Sequence, residues 1–120
     1  MISEHKEQVA IFEWATLNMD RYPQLELMFA IPNGSQRNRR TGQILKREGV
    51  KAGVPDICLP YPASSYHGLF IELKRRDGGS PSIKQMEWIV KLSGAGYLAT
   101  ICHGAKEAVE LIINYLEGNT

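Results

Sequence analysis

The apolar and polar positions in the first third of the chain predict one helix followed by one strand. Within residues 4–19, Val9, Phe12 and Thr16 recur at the spacing of one helix face. A Tyr-Pro pair ends this segment, because the residue before a proline disfavours helical backbone angles. Residues 25–31 are apolar and run into a Pro-Asn-Gly turn, so they predict a strand.

The rest of the chain alternates between strand-like and helix-like patterns. Ser82 and Gln85 have the spacing of a capping box, which predicts a helix that stops near the Gly-Ala-Gly of residues 94–96. The other segments predicted are a short helix over 41–48, strands over 57–59, 69–74 and 97–102, and a last helix over 105–116. This order predicts an α/β fold with a mixed sheet between layers of helices. The length of 120 residues predicts a single domain over residues 1–120.

The charge is small overall but unevenly distributed. The net charge is +1, yet the segment 35–51 holds six basic residues against the single acid Glu48, so it carries +5. A basic segment of this kind suits phosphate contacts that do not read sequence, although an ordinary solvated loop is the alternative. The six candidates for DNA binding are Arg37, Arg39, Arg40, Lys46, Arg47 and Lys51.

Several other classes of protein are disfavoured. Cys58 and Cys102 lie in apolar runs, which indicates buried free thiols, and the three histidines are not at ligand spacing for a zinc site. No apolar run approaches the roughly 20 residues of a membrane span. The sequence therefore predicts a cytoplasmic protein without a membrane partner.

The candidate chemistry lies at two strand ends. In the strand over 69–74, side chains alternate between faces, so Glu72 and Lys74 share one face. Asp56 begins the buried run 57–59, and a hairpin between the two strands would bring it beside Glu72. Two close carboxylates repel each other, and a bound cation removes that repulsion. Oxygen ligands of this kind suit Mg²⁺ or Mn²⁺.

Such an ion could polarise a phosphoryl oxygen and activate a water, with Lys74 holding that water or stabilising charge on the phosphate. On spacing alone, the alternative is that Glu72 and Lys74 form an ion pair on a solvated strand. Aromatic side chains at Tyr61, Tyr66 and Trp88 could stack on unpaired bases, but packing within the protein is the simpler expectation.

The surrounding sequence resembles a nuclease family. The Gly-Val-Pro-Asp of residues 53–56 and the Glu-Leu-Lys of residues 72–74, with fifteen residues between them, resemble the PD-(D/E)XK nuclease superfamily. The chain is similar, more narrowly, to the VRR-NUC (virus-type replication-repair nuclease) family. The motifs that carry this resemblance are Glu-His-Lys-Glu-Gln at 4–8, Ile-Pro-Asn-Gly at 31–34, Gly-Val-Lys-Ala-Gly-Val-Pro-Asp at 49–56, Phe-Ile-Glu-Leu-Lys at 70–74, Ser82 with Gln85, and Gly-Tyr at 96–97.

The resemblance implies the three-layer, restriction-endonuclease-like fold and a set of site residues. Asp56, Glu72 and the backbone carbonyl of Leu73 would hold the metal, and Lys74 would be catalytic. The family also places a first-helix glutamate at the site, which here matches Glu4. Glu7 is the rival for that role, and a solvated glutamate favoured by the helix dipole is the alternative interpretation of Glu4. Gln85 is either a contact of the metal-bound water or phosphate, or only a helix cap.

The function implied is a Mg²⁺- or Mn²⁺-dependent DNA endonuclease of repair, recombination or replication. Small members of the family look like homodimers that cut branched DNA such as four-way (Holliday) junctions, since two-fold symmetry places two active sites on two strands. The alternatives are a restriction-type or flap- and end-processing nuclease on the same fold, a noncatalytic DNA-binding module, and an RNA nuclease.

Overall fold

The computed structural model describes residues 2–32 and 39–120, with side chains from residue 42 onward in the second range, and these form a sheet with helices on both faces. Its helices are α1 (Glu4–Leu17), α2 (Arg39–Arg47), α3 (Ile83–Gly94) and α4 (Ala105–Leu116), with a 3-10 helix at Pro23–Leu27. Its strands are β1 (Phe29–Ala30), β2 (Ile57–Leu59), β3 (Leu69–Lys74) and β4 (Leu98–His103).

The sheet has the order β1-β2-β3-β4 and is mixed, as the sequence predicts. β2 pairs antiparallel with β3, and β3 pairs parallel with β4 through the α3 crossover. In the β2–β3 pair, Ile57 lies opposite Ile71, so one further step of the register brings Asp56 opposite Glu72. The predicted hairpin between these strands is therefore present.

The core lies on the face of the sheet that α1 and α4 cover. Leu69, Ile71 and Leu73 alternate along β3 and are each 1% exposed or less, packed in one cluster with Ile11 of α1 and Ile112 of α4. Each such side chain contributes roughly 1.5–3 kcal/mol when fully buried. The other face of β3 points towards α3 and carries the polar candidates, so packing on one face fixes the orientation of the chemistry on the other.

Two expectations for the first third of the chain are wrong in detail. The strand predicted over 25–31 is reduced to Phe29–Ala30, because residues 23–27 form the 3-10 helix, with a proline in its first turn. The buried stripe of α1 is Glu7, Ile11 and Ala15, whereas Val9 is 44% exposed. The buried face of α1 differs from the predicted apolar face because it includes the charged residue Glu7, whose partner lies elsewhere in the chain.

Other expectations are confirmed. The helix predicted over 41–48 is α2, and the capping box of Ser82 and Gln85 is formed at the start of α3. Cys58 and Cys102 are buried free thiols. Tyr61 and Tyr66 pack against the core. Among the described helices, none is both long enough and apolar enough to cross a membrane.

Candidate active site

Asp56 and Glu72 meet where β2 begins and β3 approaches its end. The Asp56 carboxylate accepts a hydrogen bond of 2.8 Å at Oδ2 from the backbone N–H of Leu73. This bond holds the Asp56 side chain against β3, the strand that carries Glu72. The Glu72 side chain is only 2% exposed and Asp56 is half-buried, so the Glu72 end of the pair lies inside the protein.

The environment of Glu72 disfavours a second negative charge. Burial, and after it the neighbouring Asp56 carboxylate, raise the pKa of Glu72 from 4.5 to about 8, while Lys74 opposes both effects. Its Oε2 has partners, but in the ionised form Oε1 is buried and accepts no hydrogen bond from the described residues. In the protonated form, the Glu72 carboxyl hydrogen-bonds to Asp56, which helps to raise its pKa. A buried carboxylate oxygen without a partner carries a cost that a bound group would remove.

Lys74 lies on the same face of β3 as Glu72, as the strand alternation predicts. Its Nζ lies 3.6 Å from Glu72 Oε2, and the Lys74 side chain is 12% exposed. The two residues do form an ion pair, but it is largely buried. A solvated pair on an exposed strand does not describe it.

Gln85 acts both as a helix cap and as a partner of the site. Its Oε1 accepts from the backbone N–H of Ser82 at 2.8 Å, which completes the capping box. Its Nε2 donates to Glu72 Oε2 at 3.0 Å. Opposite ends of one amide therefore serve the cap and the Glu72 carboxylate, and a contact of Gln85 with a metal-bound water or phosphate stays a prediction.

The residues present fit a divalent cation held by oxygen atoms. Asp56 and Glu72 supply two adjacent carboxylates, and Glu72 Oε1 is a buried oxygen that accepts no hydrogen bond from the described residues. Within the part of the chain that is described, no cluster of three or more acidic, histidine or cysteine side chains could hold a metal. The rest of a coordination shell would come from backbone, water or phosphate oxygens, which is how Mg²⁺ is commonly held.

Glu4 and Glu7 have very different surroundings. Glu4 is exposed in the first turn of α1 and is not gathered with Asp56 and Glu72, so its role at the metal stays a prediction. Glu7 is 1% exposed and accepts two hydrogen bonds from Arg76, of 3.0 and 2.9 Å. It also accepts from the backbone N–H of Ala105 at the start of α4.

The Glu7–Arg76 pair lies next to the strand that carries Glu72 and Lys74. Arg76 follows Lys74 by two residues, and the Lys74 carbonyl accepts from the Gly104 N–H at 2.9 Å. Sequence reasoning missed Arg76. The one available signal was a glutamate in register with Ile11 and Ala15 on the buried face of α1.

We expect Glu7→Gln to destabilise the protein by about 1–3 kcal/mol, since a neutral amide replaces the buried, charged acceptor of the hydrogen bonds from Arg76 and Ala105. The Arg76 hydrogen bonds hold the pKa of Glu7 below its usual value of 4.5. The stabilisation is therefore present above that usual value and is lost as the pH falls through the lower, folded-state pKa. Urea unfolding of wild type and variant at several pH values measures both effects. Glu13→Gln, at a position of the same helix outside its buried stripe, is the control and should change little.

The basic segment is only partly described. Arg37 lies outside the described residues, and Arg39 and Arg40 form the first turn of α2. Lys46, Arg47 and Lys51 are exposed at the end of α2 and in the loop that follows. Lys46 and Lys51 line a groove that α3 closes from the other side.

The chain is similar to known proteins both in sequence and in fold. A model of the VRR-NUC domain family matches residues 2–106. A solved structure described as a VRR_NUC domain protein superposes with a TM-score of 0.84 and 26% sequence identity, covering 98% of this chain and 90% of the other. No functionally curated protein matches the chain.

Proposed function

The chain belongs to the VRR-NUC family and is a nuclease-type domain, and we propose that it is a Mg²⁺- or Mn²⁺-dependent DNA endonuclease. The observation that carries the proposal is the buried, unpartnered Oε1 of Glu72 beside Asp56. If the site had no function, replacing one of these two carboxylates by a neutral residue would stabilise the fold. Retaining both carboxylates suits a cation site.

Each residue of the site has its own proposed role in phosphodiester hydrolysis. Asp56 and Glu72 would hold the ion, together with the Leu73 carbonyl that the family resemblance implies. When bound, the ion would polarise the phosphate and lower the pKa of a water nucleophile. Lys74 pairs with Glu72 Oε2 and would stabilise charge that develops on the phosphate. Gln85 holds Glu72 Oε2 and so orients the carboxylate.

The substrate class is proposed to be branched DNA, such as a four-way junction in repair or recombination. Support comes from the exposed basic residues at the end of α2 and in the segment that leads to Asp56, which suit phosphate contacts that do not read sequence. A homodimer would place two such sites on two strands of a symmetric branch.

The test is cleavage of four end-labelled substrates of matched sequence, namely a four-way junction, a flap, a nicked duplex and an intact duplex. We expect paired, symmetric cuts in the junction with Mg²⁺ or Mn²⁺ and no cuts with chelator. Equal cutting of intact duplex would contradict the branch preference. An absence of cutting on every DNA, with binding retained, would support a noncatalytic module, and cutting of matched RNA alone would identify an RNA nuclease.

Two neighbouring substitutions separate the cap from the site. Ser82→Ala removes one half of the capping box and should cost about 1 kcal/mol of stability with an unchanged cleavage rate. Gln85→Ala removes the cap and the bond to Glu72, and hydrogen bonds to charged groups are worth about 1.5–3 kcal/mol, which corresponds to roughly a tenfold to hundredfold slower rate. Single-turnover cleavage and thermal unfolding measure the pair. Equal rates in the two variants would show that Gln85 is only a cap.

A further inference from the structure

A groove outside the carboxylate site runs between α2 with its following loop and α3. It has a volume of about 920 Å³. Lys46 and Lys51 line one side, while Lys84 and Lys91 line the other, seven residues apart on one face of α3. Trp88 lies between these two lysines on α3, and Leu45 and Val50 add apolar surface from the opposite wall.

The walls of the groove are fixed to each other. The Trp88 indole Nε1 donates to the Ala52 carbonyl at 3.1 Å, which ties the ring to the loop after α2. Gly53 adopts a φ of +88°, and a Cβ there would lie 2.9 Å from backbone and side-chain carbons of Lys84. Only glycine permits so close an approach, so the loop is held directly against the first turn of α3.

The groove adjoins the carboxylate site. Lys84 is the chain neighbour of Gln85, which donates to Glu72. The loop that forms one wall leads from Gly53 directly to Asp56. A strand lying in the groove would therefore pass next to the site without occupying it.

The chemistry of the groove matches an unpaired polynucleotide strand. The described residues that line it include four lysines and one glutamate, Glu87, so the lining carries a net positive charge. Lysines along a groove track the phosphates of a single strand, and an aromatic ring with apolar neighbours receives bases that are not paired. The bases of an intact duplex are stacked within the double helix and cannot reach the Trp88 ring in the groove.

We propose that this α2–α3 groove binds an unpaired segment of DNA adjoining the bond to be cut. The proposal rests on the proposed nuclease function for its biological setting. It adds Lys84, Lys91 and Trp88 to the binding surface, none of which belongs to the basic segment recognised in the sequence. It also gives branched DNA a physical preference, because a branch point exposes unpaired nucleotides more readily than intact duplex.

The test is binding of a fluorescein-labelled oligothymidylate to the full chain in chelator, followed by fluorescence anisotropy over a range of salt concentrations. We expect Lys84→Gln/Lys91→Gln to weaken binding at least tenfold. The slope of log K against log salt should shrink by about 0.7 for each phosphate that the variant no longer neutralises. Lys106→Gln, which removes an exposed lysine from α4, is the charge control and should bind like wild type. Trp88→Leu should weaken binding to oligothymidylate, and Trp88→Phe should restore most of it.

The second arm uses a hairpin duplex of equal phosphate number. Tighter binding of the duplex, or lysine variants that weaken duplex binding alone, would overturn the proposal in favour of a duplex surface. Unchanged oligothymidylate binding in the double lysine variant would also overturn it. Because no metal is present, these outcomes are independent of cleavage. A chain that binds the strand but never cuts DNA would refute the nuclease function and support the groove. A chain that cuts DNA but does not bind the strand through these residues would support the nuclease function and refute the groove.

Discussion

Glu72→Gln is expected to lower the cleavage rate at least about a thousandfold while leaving the fold intact, since the substitution keeps the size of the side chain and removes the charge that would hold the ion. The same change should make the metal-free protein at least as stable as wild type. A buried carboxylate beside Asp56 is costly when charged, whereas a neutral amide is not. Loss of activity together with a gain in stability is expected where a residue that is needed for function destabilises the fold.

The stability effect should depend on pH in a defined direction. The pKa of Glu72 is raised from 4.5 to about 8, so the folded state holds this proton more tightly than the unfolded state. The favourable contribution of the protonated carboxyl is complete below the unfolded value and is lost as the pH rises through about 8. The stability advantage of Glu72→Gln over metal-free wild type should therefore grow across that interval.

Thermal unfolding in chelator and single-turnover cleavage in Mg²⁺ measure the two effects on the same preparations. Glu110→Gln, at an exposed position of α4, is the matched control and should change neither. Wild-type cleavage by Glu72→Gln would remove Glu72 from the site. A variant that is inactive because it is unfolded would show itself in the thermal scan, and Asp56→Asn then provides the second test of the pair.

Lys74→Gln is expected to slow cleavage by about a hundredfold to a thousandfold, the usual effect of deleting one positioned group that stabilises transition-state charge. Metal binding should survive, because Lys74 supplies no ligand atom. The Lys74 ammonium opposes the rise in the pKa of Glu72, so its removal should shift the pH dependence of metal binding upwards. This combination distinguishes a catalytic lysine from a structural ion pair.

The readouts for Lys74→Gln are single-turnover rates and the Mg²⁺-induced rise in melting temperature, each as a function of pH. Lys106→Gln serves as the control for loss of one exposed lysine. If Lys74→Gln cut DNA at the wild-type rate, Lys74 would be confined to pairing with Glu72. If it lost the metal response altogether, the lysine would be organising the carboxylates rather than the phosphate.

The sequence predicted β3 and its two faces well because the signals there are local. The alternation of Leu69, Ile71 and Leu73 with polar neighbours determines which face of β3 is buried, and that alone brings Glu72 and Lys74 together. The capping box similarly determines the start of α3, and with it the position of Gln85. In both places, backbone geometry and burial point the same way.

The features that the sequence did not predict depend on partners distant in the chain. Glu7 is buried because Arg76, sixty-nine residues later, meets it together with the N–H of Ala105. No periodicity in α1 indicates that pairing, so the pattern predicted an apolar face through Val9, which is in fact exposed. Trp88 was named from the sequence, but the two lysines beside it on α3, Lys84 and Lys91, were missed, because they border a groove only when the loop after α2 packs against α3.

The central claim is that a divalent cation binds between Asp56 and Glu72. The most direct test is an anomalous difference map from crystals of Lys74→Gln bound to DNA and soaked in Mn²⁺, at a pH above the value of about 8 for the pKa of Glu72. The expected result is a peak in contact with the Asp56 carboxylate and Glu72 Oε1, which is absent from crystals of Glu72→Gln. Ordered DNA at the site with no manganese peak there, or with the ion bound elsewhere, would contradict the claim.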